Sequence, residues 1–254
     1  MSVLTVFPIA AAWLARPRYW PLVSFCFVLF VARPVLAQLT GVLYDPEPPA
    51  DAAYVRIIHL TPNEQLDVLV DGKPRQAGIR EGKFGDYMVL RAGPHELQLL
   101  SQPKAKIIAT TRIDVRPAQV LTLAYTIPQS APQIFEDKTG LNRMKANITV
   151  YHLADKSGEF NISTADGKTS VFRALAPLSS HALAVNPIKV ELLACPFANQ
   201  PAGKGDCSSP AAQQARVALV LERGDNYSLL LTLDAHSVLQ VRVSKNAVEA
   251  PAHK

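Results

Sequence analysis

Residues 54–73, YVRIIHLTPNEQLDVLVDGK, indicate how this chain is built, because residues 147–168, NITVYHLADKSGEFNISTADGK, repeat their order of features. Each stretch has a β-rich run, a His-Leu pair, a polar connection, a second run and an Asp-Gly-Lys turn. His59 and His152 are 93 residues apart, and the two Asp-Gly pairs are 95 apart. An offset that hardly drifts indicates an internal duplication of one structural unit.

The rest of the chain reads as β structure. Short runs rich in Val, Ile, Leu, Thr and Tyr alternate with Gly and Pro, which is typical of strands joined by turns, and Asp-Gly favours a hairpin. We therefore predict an all-β protein with two tandem β-sandwich-like domains related by internal duplication. Their predicted bounds are 38–132 and 142–247, with a linker at 133–141 and a tail at 248–254.

The net charge argues against nucleic acid as a partner. The chain has 26 Lys and Arg against 21 Asp and Glu, but Arg16, Arg18 and Arg33 lie in the first 37 residues, which contain no acidic residue. Without that segment 23 basic side chains face 21 acidic ones. Nucleic-acid-binding domains usually concentrate a larger positive charge on one face.

Residues 1–37 have the pattern of a signal peptide. Basic residues in RPRYW precede the apolar PLVSFCFVLFVA, and RPVLA places small residues before a cleavage bond between Ala37 and Gln38. The alternative is an uncleaved membrane anchor, although the apolar run is shorter than the ~20 residues of a membrane-spanning helix. Cleavage predicts export of the mature chain.

The cysteines agree with export. Cleavage removes Cys26 and leaves Cys195 and Cys207 as an even pair, so a disulfide is predicted, with two unrelated thiols as the alternative. Relative to the first copy, the second copy gains about twelve residues, PFANQPAGKGDC, at 196–207. The disulfide would stabilise this insertion. No spacing of Cys and His suggests a metal site or a cofactor.

No catalytic site is predicted. Acyl transfer needs a nucleophile held by a base, but the chain has no Gly-x-Ser-x-Gly motif. Asp234 and His236 could share a strand face, yet no serine partner is evident. His59 and His152 each end a row of apolar strand residues, and a hydrogen-bonded histidine at the sandwich rim is the expectation, rather than a metal ligand or base.

The densest basic cluster contains Lys138, Arg143 and Lys145, beside the predicted linker. Such cations could bind the carboxylates of an acidic polymer. A solvated run of charges is the alternative interpretation.

Five blocks extend in order over nearly the whole chain after residue 37: LYDPEPPADAAYVRIIHL, IFEDKTGLNRMKANITVYHL, TADGKTSVFRALAP, VNPIKVELLA and VLERGDNYSLLL. In this order they resemble the AlgF family of periplasmic alginate biosynthesis proteins. The insertion ending at Cys207, the long leader and the two histidines, where the family more often has Asn, depart from the family pattern. Both alginate and cellulose therefore stay open as the polymer.

The resemblance implies a non-enzymatic adaptor required for O-acetylation of an exported polysaccharide, most simply alginate. Its implied partners are a periplasmic acetyltransferase and a membrane-bound O-acyltransferase. Two other functions remain open: a surface carbohydrate-binding or adhesion module that shares only the sandwich fold, and direct acetyl transfer.

Overall fold

The structure is a computed structural model, and it describes residues 49–126, 131–138, 142–154, 158–197, 207–208, 210–234 and 236–250. All of them belong to one compact unit, Pro46–Lys254.

The first half of this unit contains eight strands in two four-stranded sheets. The first outer sheet has the order β3-β2-β5-β6, and the first inner sheet has the order β4-β1-β7-β8. Their bounds are β1 Ala52–His59, β2 Gln65–Val70, β3 Lys73–Arg80, β4 Met88–Arg91, β5 Gly93–Ser101, β6 Lys106–Val115, β7 Val120–Tyr125 and β8 Gln133–Glu136.

The second half repeats this arrangement. The second outer sheet has the order β11-β10-β13-β14, and the second inner sheet has the order β12-β9-β15-β16. Their bounds are β9 Ala146–His152, β10 Phe160–Thr164, β11 Ser170–Leu175, β12 Ser179–Val185, β13 Ile188–Pro196, α1 Pro210–Gln214, β14 Arg216–Leu221, β15 Asn226–Leu233 and β16 Leu239–Lys245.

Strand register confirms the predicted duplication. β1 pairs antiparallel with β4 and parallel with β7, and β9 pairs in the same way with β12 and β15. His59 and His152 are the last residues of β1 and β9. The prediction of an all-β protein with two similar sandwich-like halves is thus confirmed.

Each half has its own apolar core, and a third apolar cluster joins the halves. Val55 and Leu97 belong to the first core, and Ile148 and Leu192 to the second. The two inner sheets pack against each other through their remaining faces, so the sheets form four layers. The buried side chains of this third cluster are Ile58, Ala124, Phe135, Tyr151, Leu153 and Leu230.

This packing explains why the central strands are apolar on both faces. In β1, Val55 and Ile57 face the first core, whereas Arg56 and Ile58 face the other inner sheet. Alternation of apolar and polar residues is expected only where one face of a sheet meets water.

The segment predicted as a linker, 133–141, is described up to residue 138, and its first four residues form β8, which pairs with β7. The division into two domains with these bounds stays a prediction.

Candidate functional site

A buried polar cluster lies where the two inner sheets meet, and we call it the Arg56 cluster. Arg56 is 1% exposed. Its Nε donates to Thr122 Oγ1 at 2.9 Å, and its Nη1 donates to Asn246 Oδ1 at 2.9 Å. Its Nη2 donates to Tyr151 Oη and to Ser228 Oγ, both at 2.8 Å. Three of these four acceptors belong to the second half of the chain.

Asp137 is the buried acceptor of the same cluster. Its carboxylate accepts hydrogen bonds from Thr122 Oγ1 at 2.6 Å, Tyr151 Oη at 2.5 Å and Tyr87 Oη at 2.9 Å. Burial raises the pKa of Tyr151 to about 12 and also raises the pKa of Tyr87. Both phenols therefore stay protonated at neutral pH and can donate to the carboxylate.

Aromatic rings enclose the guanidinium. Its central carbon lies 4.4 Å from the ring centroid of Phe84 and 4.3 Å from that of Tyr87, within the range of cation–π attraction. Phe135 packs edge-on against Tyr151 at 5.3 Å. The rings thereby help to bury a site that contains both a cation and a carboxylate.

The Arg56 cluster has the chemistry of a structural contact. Arg56 uses four of the five N–H donors of a guanidinium, and a buried ion costs free energy unless it is fully hydrogen-bonded. Sequence patterns did not reveal the cluster, because partners from β1, β7, β9 and β15 are distant in the chain. The available signal was an arginine in the middle of an apolar strand run, YVRIIHL.

The two repeated histidines are buried and hydrogen-bonded to backbone. His59 Nε2 donates to the Ile79 carbonyl at 2.8 Å, and its Nδ1 accepts the Thr61 amide at 3.3 Å. His152 Nε2 donates to the Gly158 carbonyl at 2.8 Å. Burial lowers the pKa of both rings below 6.5. These bonds position the connections that follow β1 and β9.

Asp234 and His236 lie in a turn between β15 and β16. Asp234 Oδ1 accepts the backbone amides of His236 at 2.8 Å and Val238 at 2.9 Å. The carboxylate of Asp234 thus bonds the backbone of His236, and these amides lower its pKa. This is the local side-chain-to-backbone bonding that Asp favours in turns.

The predicted disulfide between Cys195 and Cys207 is confirmed. Four residues connect β5 to β6, whereas nineteen connect the equivalent strands β13 and β14. The disulfide and Ala212 of α1 pack on the outer face of β13, over Leu193. The insertion therefore covers the apolar outer face of β13.

The predicted basic residues lie near one another in the chain. Lys138 and Arg143 are exposed, and Lys145 is half-buried. Lys138 and Asn142 are four residues apart, so their Cα atoms lie within about 14 Å. The Lys145 carbonyl accepts the Gly224 amide at 2.9 Å, which anchors this turn to the second half. Binding of an acidic polymer here stays a prediction.

Some predictions fall on other parts of the chain. The signal peptide, 1–37, and its cleavage site between Ala37 and Gln38 lie outside the described residues. Within the described ranges, no helix reaches the length and hydropathy of a membrane span. The same ranges contain no group of three His, Cys, Asp or Glu side chains placed to bind a metal ion.

The comparison with solved structures gives a likeness to part of this chain. The chain is similar to the C-terminal domain of AlgF from Pseudomonas aeruginosa, with 26% identity over 41% of this chain and 99% of that domain. The TM-score is 0.29, which is too low to support an argument about the fold.

Sequence comparisons identify the family. An "Alginate biosynthesis protein AlgF" from Pseudomonas aeruginosa is 27% identical over 179 residues, which are 70% of this chain and 77% of the relative. The protein of that name from Pseudomonas fluorescens is 24% identical over 187 residues, covering 74% and 79%. The family described as "Alginate O-acetyl transferase AlgF" matches residues 30–200. The chain therefore belongs to the AlgF family.

Proposed function

We propose that this protein is a periplasmic, non-enzymatic adaptor required for O-acetylation of an exported polysaccharide, with alginate as the polymer. Membership in the AlgF family carries this proposal, because its curated relatives are named alginate biosynthesis proteins. Its partners would be a periplasmic acetyltransferase and a membrane-bound O-acyltransferase.

The chemistry of the described side chains supports an adaptor. His59 bonds backbone groups through both ring nitrogens, His152 through Nε2 and Asp234 through Oδ1. Acyl transfer instead needs a nucleophile, a base and an oxyanion site that converge on one substrate position. In addition, the Arg56 cluster fixes the two halves relative to each other, which suits a protein that holds partners at set positions.

Direct acetyl transfer is the second candidate, because the family description contains the words "O-acetyl transferase". The two candidates differ in one measurable property. An acetyltransferase turns over an acetyl ester by itself, whereas an adaptor changes polymer acetylation only when the transferases are present.

Deletion of the gene, with acetyl content and polymer yield measured separately, tests the proposal. We expect the acetyl content to fall to background while polymer yield is retained, and complementation to restore acetylation. The purified protein should release no acetate from an acetyl ester such as p-nitrophenyl acetate above the uncatalysed rate. Catalytic turnover would favour the transferase, and unchanged acetyl content in the deletion strain would contradict both candidates.

A further inference from the structure

The two halves differ at one pair of equivalent edge strands, β4 and β12. Met88 of β4 lies opposite Val55, and Leu183 of β12 lies opposite Ile148. Val55 and Ile148 are equivalent by the 93-residue offset that relates His59 to His152. Met88 and Leu183 therefore occupy the same position in the two inner sheets.

In the first half, the outer side of this edge is covered by an extended segment of the chain. Tyr87 donates its amide to the Ala247 carbonyl at 2.8 Å and accepts the Glu249 amide at 3.0 Å. Val248 forms a parallel bridge with Tyr87. The Glu249 carboxylate accepts the Val89 amide at 2.9 Å.

In the second half, the same edge is open among the residues that the structure describes. β12 pairs with β9 on one side, and no described backbone group bonds it on the other. Leu183 is 40% exposed, whereas Met88 is fully buried, and Leu178, just before β12, is 39% exposed. An unpaired edge with exposed apolar side chains readily accepts a further strand.

The chemistry beside the two edges also differs. In the first half Arg75 of β3 pairs with Glu249. Ile79 of β3 and Leu175 of β11 are equivalent residues. Arg75 lies four residues before Ile79, and Val171 lies four residues before Leu175, so Val171 is the equivalent of Arg75. The same alignment makes Gly78 and Ala174 equivalent, and both have a positive φ. An apolar side chain thus replaces the cation at the open edge.

We propose that the outer edge of β12 binds an extended segment of a protein partner, which runs parallel to β12 as residues 247–249 run along β4. The segment has an apolar residue at the position that Glu249 occupies in the first half, where it packs on Leu183 and Val171. Main-chain bonds would supply affinity and the apolar contact would supply specificity. This inference deepens the proposed adaptor function and rests on it.

The amides that the partner would use follow from the duplication. Tyr87 and Val89 point their amides outward, so the equivalent Ala182 and Ala184 do so in β12. Proline at such a position removes an outward donor and spares the bonds to β9, because proline is tolerated on edge strands. Ala184→Pro is therefore the first test variant.

The experiment measures binding of the full protein to the purified periplasmic acetyltransferase by calorimetry. We expect Ala184→Pro and Leu183→Glu each to weaken binding by about tenfold or more. Val220→Glu is the matched control, because Val220 is a 54% exposed apolar residue on another edge strand, β14. The affinity of this variant for the acetyltransferase should equal that of the wild type. Hydrogen exchange should show protection of residues 179–185 in the wild-type complex, and circular dichroism checks that each variant folds.

Three outcomes would overturn the inference. If the wild type binds and all three variants bind equally well, the edge is not the docking site and the adaptor function stands. If the wild type does not bind the acetyltransferase, the adaptor function fails and the inference fails with it. If the protein forms dimers that Leu183→Glu dissociates, a second copy of this chain occupies the edge instead.

Discussion

Arg56 and Asp137 share two hydroxyl groups without touching each other. Thr122 Oγ1 and Tyr151 Oη each accept a hydrogen bond from the guanidinium and donate one to the carboxylate. Thr122 belongs to the first half and Tyr151 to the second. The charged pair is therefore satisfied only when the two inner sheets are in contact, which couples the packing of the halves to the burial of both charges.

Tyr151→Phe tests this bridge with little change in shape. It removes the hydrogen bond to Asp137 Oδ1 and one bond from Arg56, so a buried charged group loses a partner. We expect the free energy of unfolding to fall by about 2–3 kcal/mol, measured by urea denaturation. Tyr125→Phe is the control, because Tyr125 Oη donates only to Thr111 in a partly buried contact, and its loss should be about 1 kcal/mol.

Arg56→Gln should lower the free energy of unfolding further, by about 3–5 kcal/mol, because it leaves the Asp137 carboxylate buried without its cation. Combining it with Asp137→Asn should cost less than the sum of the two single changes, with a coupling free energy of about 1–3 kcal/mol. Additive effects would contradict the shared hydroxyl bridge. A double-mutant cycle on the exposed pair Arg112 and Glu96 is the control, and we expect its coupling free energy to be at most about 1 kcal/mol.

The duplication could be predicted from the sequence because strand and turn patterns are local. The offset between His59 and His152 identified the repeated unit, and the change of offset identified the insertion that ends at Cys207. Both features are read from strand and turn patterns that each lie within a short stretch of the chain. The structure confirms them through strand order and through the disulfide.

The contact between the halves could not be predicted, because it depends on positions where the two copies differ. Arg56 is equivalent to Thr149, which lies beside Ser228 as Arg56 lies beside Thr122. Asp137 follows β8 as Asn246 follows β16. A repeat pattern shows what the copies share, whereas a buried ion and its partners lie at unshared positions. Only packing of the two inner sheets brings them together.

Acidification should destabilise the protein through His59. Burial lowers the pKa of this ring, and the opposing effects of the Ile79 carbonyl, Glu81 and Glu64 do not offset it. Below pH 6.5 the unfolded chain binds more protons at this site than the folded chain, so stability is lost as pH falls from 6.5 toward the lowered pKa. Between pH 7.5 and 5.5, His59→Gln should lose less unfolding free energy than the wild type.

His95 provides the control of opposite sign. Burial lowers the pKa of its ring, but bonds to the Arg91 carbonyl and to Asp71 outweigh burial, so the pKa is raised. Its stabilising contribution is complete below the unfolded pKa and is lost as pH rises through the folded value. His95→Gln should therefore steepen the loss on acidification, and equal slopes in both variants would contradict these assignments.

Loss of the disulfide should destabilise the second half. The bond closes a loop with a sequence separation of 12, and a loop of this size contributes about 3 kcal/mol by restricting the unfolded chain. The double variant Cys195→Ala, Cys207→Ala should show this loss in urea denaturation. The reduced wild type is the control, because it lacks the disulfide but keeps both cysteine side chains. Equal stability of the reduced and oxidised protein would contradict the prediction.

Charge reversal tests polymer binding by the predicted basic residues. Changing Lys138, Arg143 and Lys145 to Glu should weaken binding to purified alginate by about tenfold and flatten its dependence on salt, because fewer cations then meet uronate carboxylates. The control carries the same change of net charge at three exposed lysines elsewhere, Lys73, Lys104 and Lys106. If both variants lose affinity equally, net charge rather than a local surface governs binding. If neither does, these residues are a solvated run of charges.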